Sequence, residues 1–114
     1  MFKVSCVAAL AFLAQAAFAQ AVSAQDGANA DNLKRGETLL TNNCASCHAI
    51  GPTGESPRPA APLFRTLGRK YPIESLEEAL GEGLVSGHPD MPEFQFEARD
   101  VGAIIAYLKS IQQP

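Results

Sequence analysis

The stretch that most constrains this chain is "NNCASCHAIGP", residues 42–52. Cys44 and Cys47 are three positions apart, and His48 follows the second at once. On a helical turn that spacing brings both thiols to one side, with the imidazole beside them. A disulfide between them would close a very small loop and restrain little of the unfolded chain. Yet a domain this small buries a thin core and ordinarily needs a disulfide, a metal or a large buried cofactor to hold it. The fold must therefore be organised around whatever these three side chains hold.

The 114 residues are enough for one domain. Lys3 gives a short basic start, and Val4 to Phe18 is almost wholly apolar and alanine-rich. Small residues follow at the spacing that signal peptidase accepts, in Ala17-Phe18-Ala19 and again in Val22-Ser23-Ala24. Residues 1–24 therefore read as a secretory signal peptide, cleaved after Ala19 or after Ala24, and the alternative is a retained anchor. Excluding them removes Cys6 and leaves eight basic against twelve acidic side chains. That balance argues against nucleic acid, which calls for a basic face. Residues 25–30 read as a flexible lead-in.

Beyond it, "DNLKRGETLLTNN" predicts a helix capped by Asp31, with Leu33, Gly36 and Leu40 on one face and Cys44 in phase. Prolines and glycines from Gly51 to Gly68 predict a long loop over 49–70, to which Leu63, Phe64 and Leu67 give the apolar contacts. "PIESLEEALGEGL" predicts a second helix with Ile73, Leu76, Leu80 and Leu84 in phase, and Ser75 with Glu78 as a capping box. "VSGHPDMPEF" is again a loop. The clearest helix is "EARDVGAIIAYLKSIQ", where Val101, Ile104, Ile105, Leu108 and Ile111 form one stripe. The expected fold is all-α, with three or four short helices. Loops as long as 49–70 are unusual in so small a domain unless they wrap something that is not protein.

C-x-x-C-H is the attachment signature for c-type haem. Each thiol can add to one vinyl group, and the histidine stands beneath the ring facing iron. Three alternatives compete. A thioredoxin-like dithiol would follow a strand, and none is visible. A zinc site would need Cys44, Cys47, His48 and His88, where adjacent ligands strain a tetrahedron. An iron–sulfur cluster calls for about four thiolates. For the opposite face of the iron, the chain beyond the leader offers Met91 and His88, both in "GHPDMP". Met91 is flanked by prolines and a charge rather than by an apolar stripe, which favours a placed ligand over a core filler. A soft thioether there favours ferrous iron and raises the potential, and a bis-histidine site through His88 is the competitor.

With these motifs in place, residues 31–114 resemble the class I cytochromes c, in particular the small, exported, single-haem bacterial kind. The resemblance implies a cytochrome c-like fold with long loops wrapped around one covalent haem. Cys44 and Cys47 match the thioether cysteines, His48 the proximal ligand and Met91 the distal one. Gly36 matches the glycine where the family's first and last helices cross, with Tyr107 and Ile104 as its partners. Pro62 in "APLF" matches the proline whose carbonyl accepts the other N–H of the proximal histidine. The chain departs from the pattern at Ala61, where a glycine is usual, and at Leu40, where an aromatic is common. Arg58, Arg69 and Tyr71 are candidates to hold haem propionates.

The function implied is one-electron transfer in the periplasm, by a shuttle that is not itself an enzyme and that meets a redox donor and acceptor in turn. The alternative within this class is a dedicated subunit of a periplasmic dehydrogenase or oxidase. A haem sensor or haem enzyme would need an open iron position. A dithiol or metal-binding protein would lack covalent haem.

Overall fold

A periodic apolar stripe can bury itself only against another element, and here the last helix supplies the surface on which the others are laid. The computed structural model describes residues 29–83 and 88–114. The signal-peptide reading of residues 1–24, most of the lead-in and Leu84 lie outside the described residues. The chain divides into two units, Met1–Asp31 and Asn32–Pro114. Residues 29–31 of the first are helical and exposed. Asp31 is therefore inside helical backbone and is not a cap, because Asn29 and Ala30 already adopt the helix.

The second unit is built from α1 (32–43), a 3₁₀ helix (Phe64–Arg69), a 3₁₀ turn (Ile73–Ser75) that runs into α2 (Leu76–Glu82), and α3 (Ala98–Ile111). No strand occurs among the described residues, and the fold is the all-α arrangement expected. In α3 the whole predicted stripe is buried, and Ile104 is fully so. Leu40 of α1, Leu67 of the 3₁₀ helix, and Ile73 and Leu80 of the α2 segment complete one core with it. At about 25 cal/mol for each Å² of apolar surface removed from water, these side chains dominate what holds the unit together.

α1 meets α3 at Gly36, which is buried. A Cβ there would overlap the Ala103 carbonyl and lie 2.8 Å from the Tyr107 Cβ. Only a hydrogen lets the two backbones come this close. Beside the crossing, Arg35 makes an ion pair with Asp100 across the two helices.

Two sequence expectations are corrected. The stretch 49–70 is not loop throughout, since Phe64–Arg69 forms the 3₁₀ helix. It ends with the Lys70 N–H on the Leu67 carbonyl at 2.9 Å. The capping box is absent as well. Ser75 is itself helical (φ −62°, ψ −14°) within the preceding 3₁₀ turn, so its hydroxyl makes no cap bond. α2 stops at Gly83, whose φ of +116° lies in the region that glycine adopts without strain.

Candidate functional site

The turn after α1 carries the motif. The Cys44 N–H still donates to Leu40 O at 2.8 Å, and the Cys47 and His48 N–H groups both donate to Cys44 O at 3.1 and 2.9 Å. This tightened extra turn holds the three side chains in one short arc. Cys44 and Cys47 are free thiols. Burial, with Cys47 close by, pushes the Cys44 thiol up to about 11, so it is neutral at ordinary pH.

His48 is fixed from outside the turn. Its Nδ1 lies 2.8 Å from the Pro62 carbonyl oxygen. A carbonyl only accepts, so this bond places the proton on Nδ1 and leaves the lone pair of a neutral imidazole on Nε2. The Phe64 ring packs against the imidazole, with centroids 4.6 Å apart. Pro62 is held in turn: the Phe64 N–H donates to Ala49 O at 3.0 Å, and the Ala49 N–H donates to Ser56 Oγ at 3.0 Å.

These groups open onto a cavity of about 510 Å³. Cys44, Cys47, His48, Pro62, His88 and Met91 all line it. Leu40, Leu67, Leu80, Ile104 and Leu108 give it an apolar floor made from the same side chains as the core. Its size falls in the usual range for a ligand pocket. The donor set is two thiols on one arc, the His48 imidazole with its Nε2 lone pair, and, elsewhere on the lining, the His88 imidazole and the Met91 thioether. A covalently linked haem fits that set and that lining.

The zinc alternative is not supported, because no group of three His, Cys, Asp or Glu side chains among the described residues could hold a metal ion. Arg58 and Tyr71 line the cavity. Arg69 does not, and its guanidinium donates to the Pro114 carbonyl at 2.7 Å.

Sequence reasoning missed Phe94 and Phe96, which line the cavity and lie 6.1 Å apart, nearly parallel. The signal was present in "EFQF". The alternation puts both rings on the cavity, while Glu93 and Gln95 are exposed. It also missed Gln112. Its amide oxygen accepts from the Gly68 N–H at 2.7 Å, and its nitrogen donates to Phe64 O at 2.9 Å and Leu108 O at 2.7 Å. Nothing local marks that residue.

No helix among the described residues is long and apolar enough to cross a membrane. Residues 31–108 match the family model described as cytochrome C oxidase, cbb3-type, subunit III. The chain is 32% identical over 91 residues to cytochrome c-552 of Bradyrhizobium diazoefficiens, covering 79% of this chain and 85% of that protein. It is 34% identical over 86 residues to cytochrome c oxidase subunit 2 of Alkalihalophilus pseudofirmus, covering 62% of this chain and 23% of that protein. No solved structure matches. With the family model spanning most of the second unit, and with a relative of nearly its own length, the chain belongs to the cytochrome c family as a small single-haem class I member, which implies a covalently bound c-type haem and a role in electron transfer.

Proposed function

We propose that this chain is an exported one-electron carrier that uses His48 and Met91 as the two axial ligands. Cys44 and Cys47 would hold the haem through two thioether bonds, each S–H adding across one vinyl group, in a domain too small to retain it by contact alone. Bound haem supplies the one-electron iron couple. His48 would offer Nε2 to the iron, and the Pro62 carbonyl, by holding Nδ1–H, fixes the ring and would make the ligand more electron-rich. Met91, which lines the same cavity, would supply a thioether, a soft donor that favours the ferrous state.

The observation that carries this reading is convergence. The two cysteines, His48 with Nδ1 already engaged, and Met91 all line one apolar cavity. Residues 1–24 act as the signal peptide, residues 31–114 form the electron-transfer domain, and the working compartment is the periplasm. The chain holds no substrate; its partners are a redox donor and an acceptor, met through brief encounters of small area.

A second reading has a specific observation behind it. The matched family model and one relative are both named as oxidase subunits. The chain would then be the dedicated cytochrome subunit of such a complex, with the same site chemistry.

The test is to produce the precursor together with the haem-attachment machinery, extract with acid-acetone, and record the reduced pyridine spectrum of the pellet. Haem that stays with the protein and gives c-type bands is the expected result. A colourless pellet with two titratable thiols would overturn the reading. In the holoprotein, Met91→Ala should keep the haem, lower the potential and admit added ligands. An unchanged potential and spectrum would remove Met91 as a ligand. Co-purification from the native host separates the shuttle from the subunit.

A further inference from the structure

The ion pairs among the described residues differ in what they join. Lys34–Glu37 lies within α1, Arg35–Asp100 ties α1 to α3, and Lys109–Glu74 ties α3 to the turn before α2. Arg58–Asp90, with Nη1 2.9 Å from Oδ2, is different because it joins two loops that both line the cavity.

Both ends are set close to the site. The Arg58 N–H donates to the Cys47 carbonyl at 3.2 Å, and the Arg58 carbonyl accepts the Ala61 N–H at 2.9 Å. The guanidinium therefore projects from backbone bonded directly to the C-x-x-C-H turn. Asp90 is the residue before Met91, in a turn where the Met91 N–H donates to His88 O at 3.1 Å. The pair links positions 32 apart in sequence, and it connects the segment that holds the cysteines to the segment that carries the thioether.

We infer that Arg58 and Asp90 are positioning residues for Met91: their ion pair straps the 88–92 turn to the loop bonded to the C-x-x-C-H turn and sets how often Met91 leaves the iron. The inference rests on the reading of Met91 as an axial ligand. An added ligand binds only molecules in which that position is open, so its apparent affinity scales with the open fraction. A strap that favours the closed form weakens such binding. The side chains are 46% and 65% exposed, so the pair belongs to the solvent-screened class and its effect is modest.

The experiment is a spectrophotometric imidazole titration of the ferric holoprotein. Arg58→Ala and Asp90→Asn should each tighten imidazole binding by about two- to five-fold. The double variant should bind no more tightly than either single one, since both remove the same interaction. High salt should tighten binding to the unaltered protein and leave Asp90→Asn nearly unmoved. Singles that bind like the unaltered protein, or effects that add in the double variant, would overturn the inference. So would tightening in Arg58→Ala without tightening in Asp90→Asn, which would assign the guanidinium to another partner. Met91→Ala separates the two levels. Much tighter imidazole binding there, with no effect from the strap variants, leaves the ligand reading intact and removes the strap. No tightening in Met91→Ala removes the ligand reading and the strap with it.

Discussion

The two walls of the cavity are held by different physics. On one side α1 crosses α3 backbone on backbone at Gly36, and Leu40, Ile104 and Leu108 of the same two helices belong to the core and line the cavity. On the other side, residues 49–70 bury only Ala49 and Leu67. They are placed instead by single directed bonds. Arg65 Nη1 donates to Gly54 O at 2.8 Å, Gln113 Nε2 donates to Pro52 O at 2.8 Å, and Gln112 holds the 3₁₀ helix at both Phe64 and Gly68. Packing resists displacement in every direction but does not aim a side chain. A hydrogen bond aims one, and it contributes little net stability. The crossing therefore supplies the rigidity, and the bonded loop supplies the orientation of His48.

This contrast fails most visibly if the crossing tolerates a methyl group. Gly36→Ala would drive Cβ into the Ala103 carbonyl, which is backbone and cannot turn aside. The expected loss is at the upper end of about 1–3 kcal/mol, the range for overpacking, read from the denaturation midpoint of the holoprotein at unchanged slope. Gln112→Ala, on the loop side, removes three hydrogen bonds from a half-buried side chain. It should cost about 1 kcal/mol, because water replaces most of what is lost. Its more telling readout is local: amide exchange should quicken at Gly68 and leave the α3 core unchanged. If the two substitutions cost the same, the division between packed and bonded walls is wrong.

The same contrast explains what the sequence disclosed. The α3 stripe was legible because burial against one surface imposes a period of 3.6 residues on a continuous segment. Cys44, Cys47 and His48 were legible because their geometry is local to one turn. Met91 stood out by chemistry, as the one methionine besides Met1. Pro62 could be named only by resemblance, because the His48–Pro62 bond spans 14 positions and three other prolines lie nearby. Gln112 and Asp90 left no trace at all, since Asp90 pairs with a residue 32 positions away and two of the three partners of Gln112 lie 44 and 48 positions away, sharing no pattern with it. Ser75 and Glu78 carried a local signal that the tertiary structure overrode, because the 3₁₀ turn takes Ser75 into helical backbone before it can cap.

The smallest effect expected is a titration, and it tests whether the packed wall is dry. Tyr107 lies at the crossing behind that wall, 8% exposed, and burial pushes its phenol above the ordinary value, with the Glu37 carboxylate adding to the rise. Burial disfavours the charged form, so the folded protein holds this proton more tightly than the unfolded chain does. The sign follows. The phenol's contribution to stability is complete below pH 10.0, its ordinary value, and is lost as the pH rises through the higher folded value. Carbon-13 ring shifts of labelled tyrosine, followed by NMR, should give Tyr107 a midpoint above 10.0. A midpoint at or below it would mean that water reaches the crossing, and that the α1–α3 contact is closer in character to the bonded loop than to a sealed core. Gly36→Ala connects this reading to the larger prediction, because splaying the crossing should lower the Tyr107 midpoint as it lowers the stability.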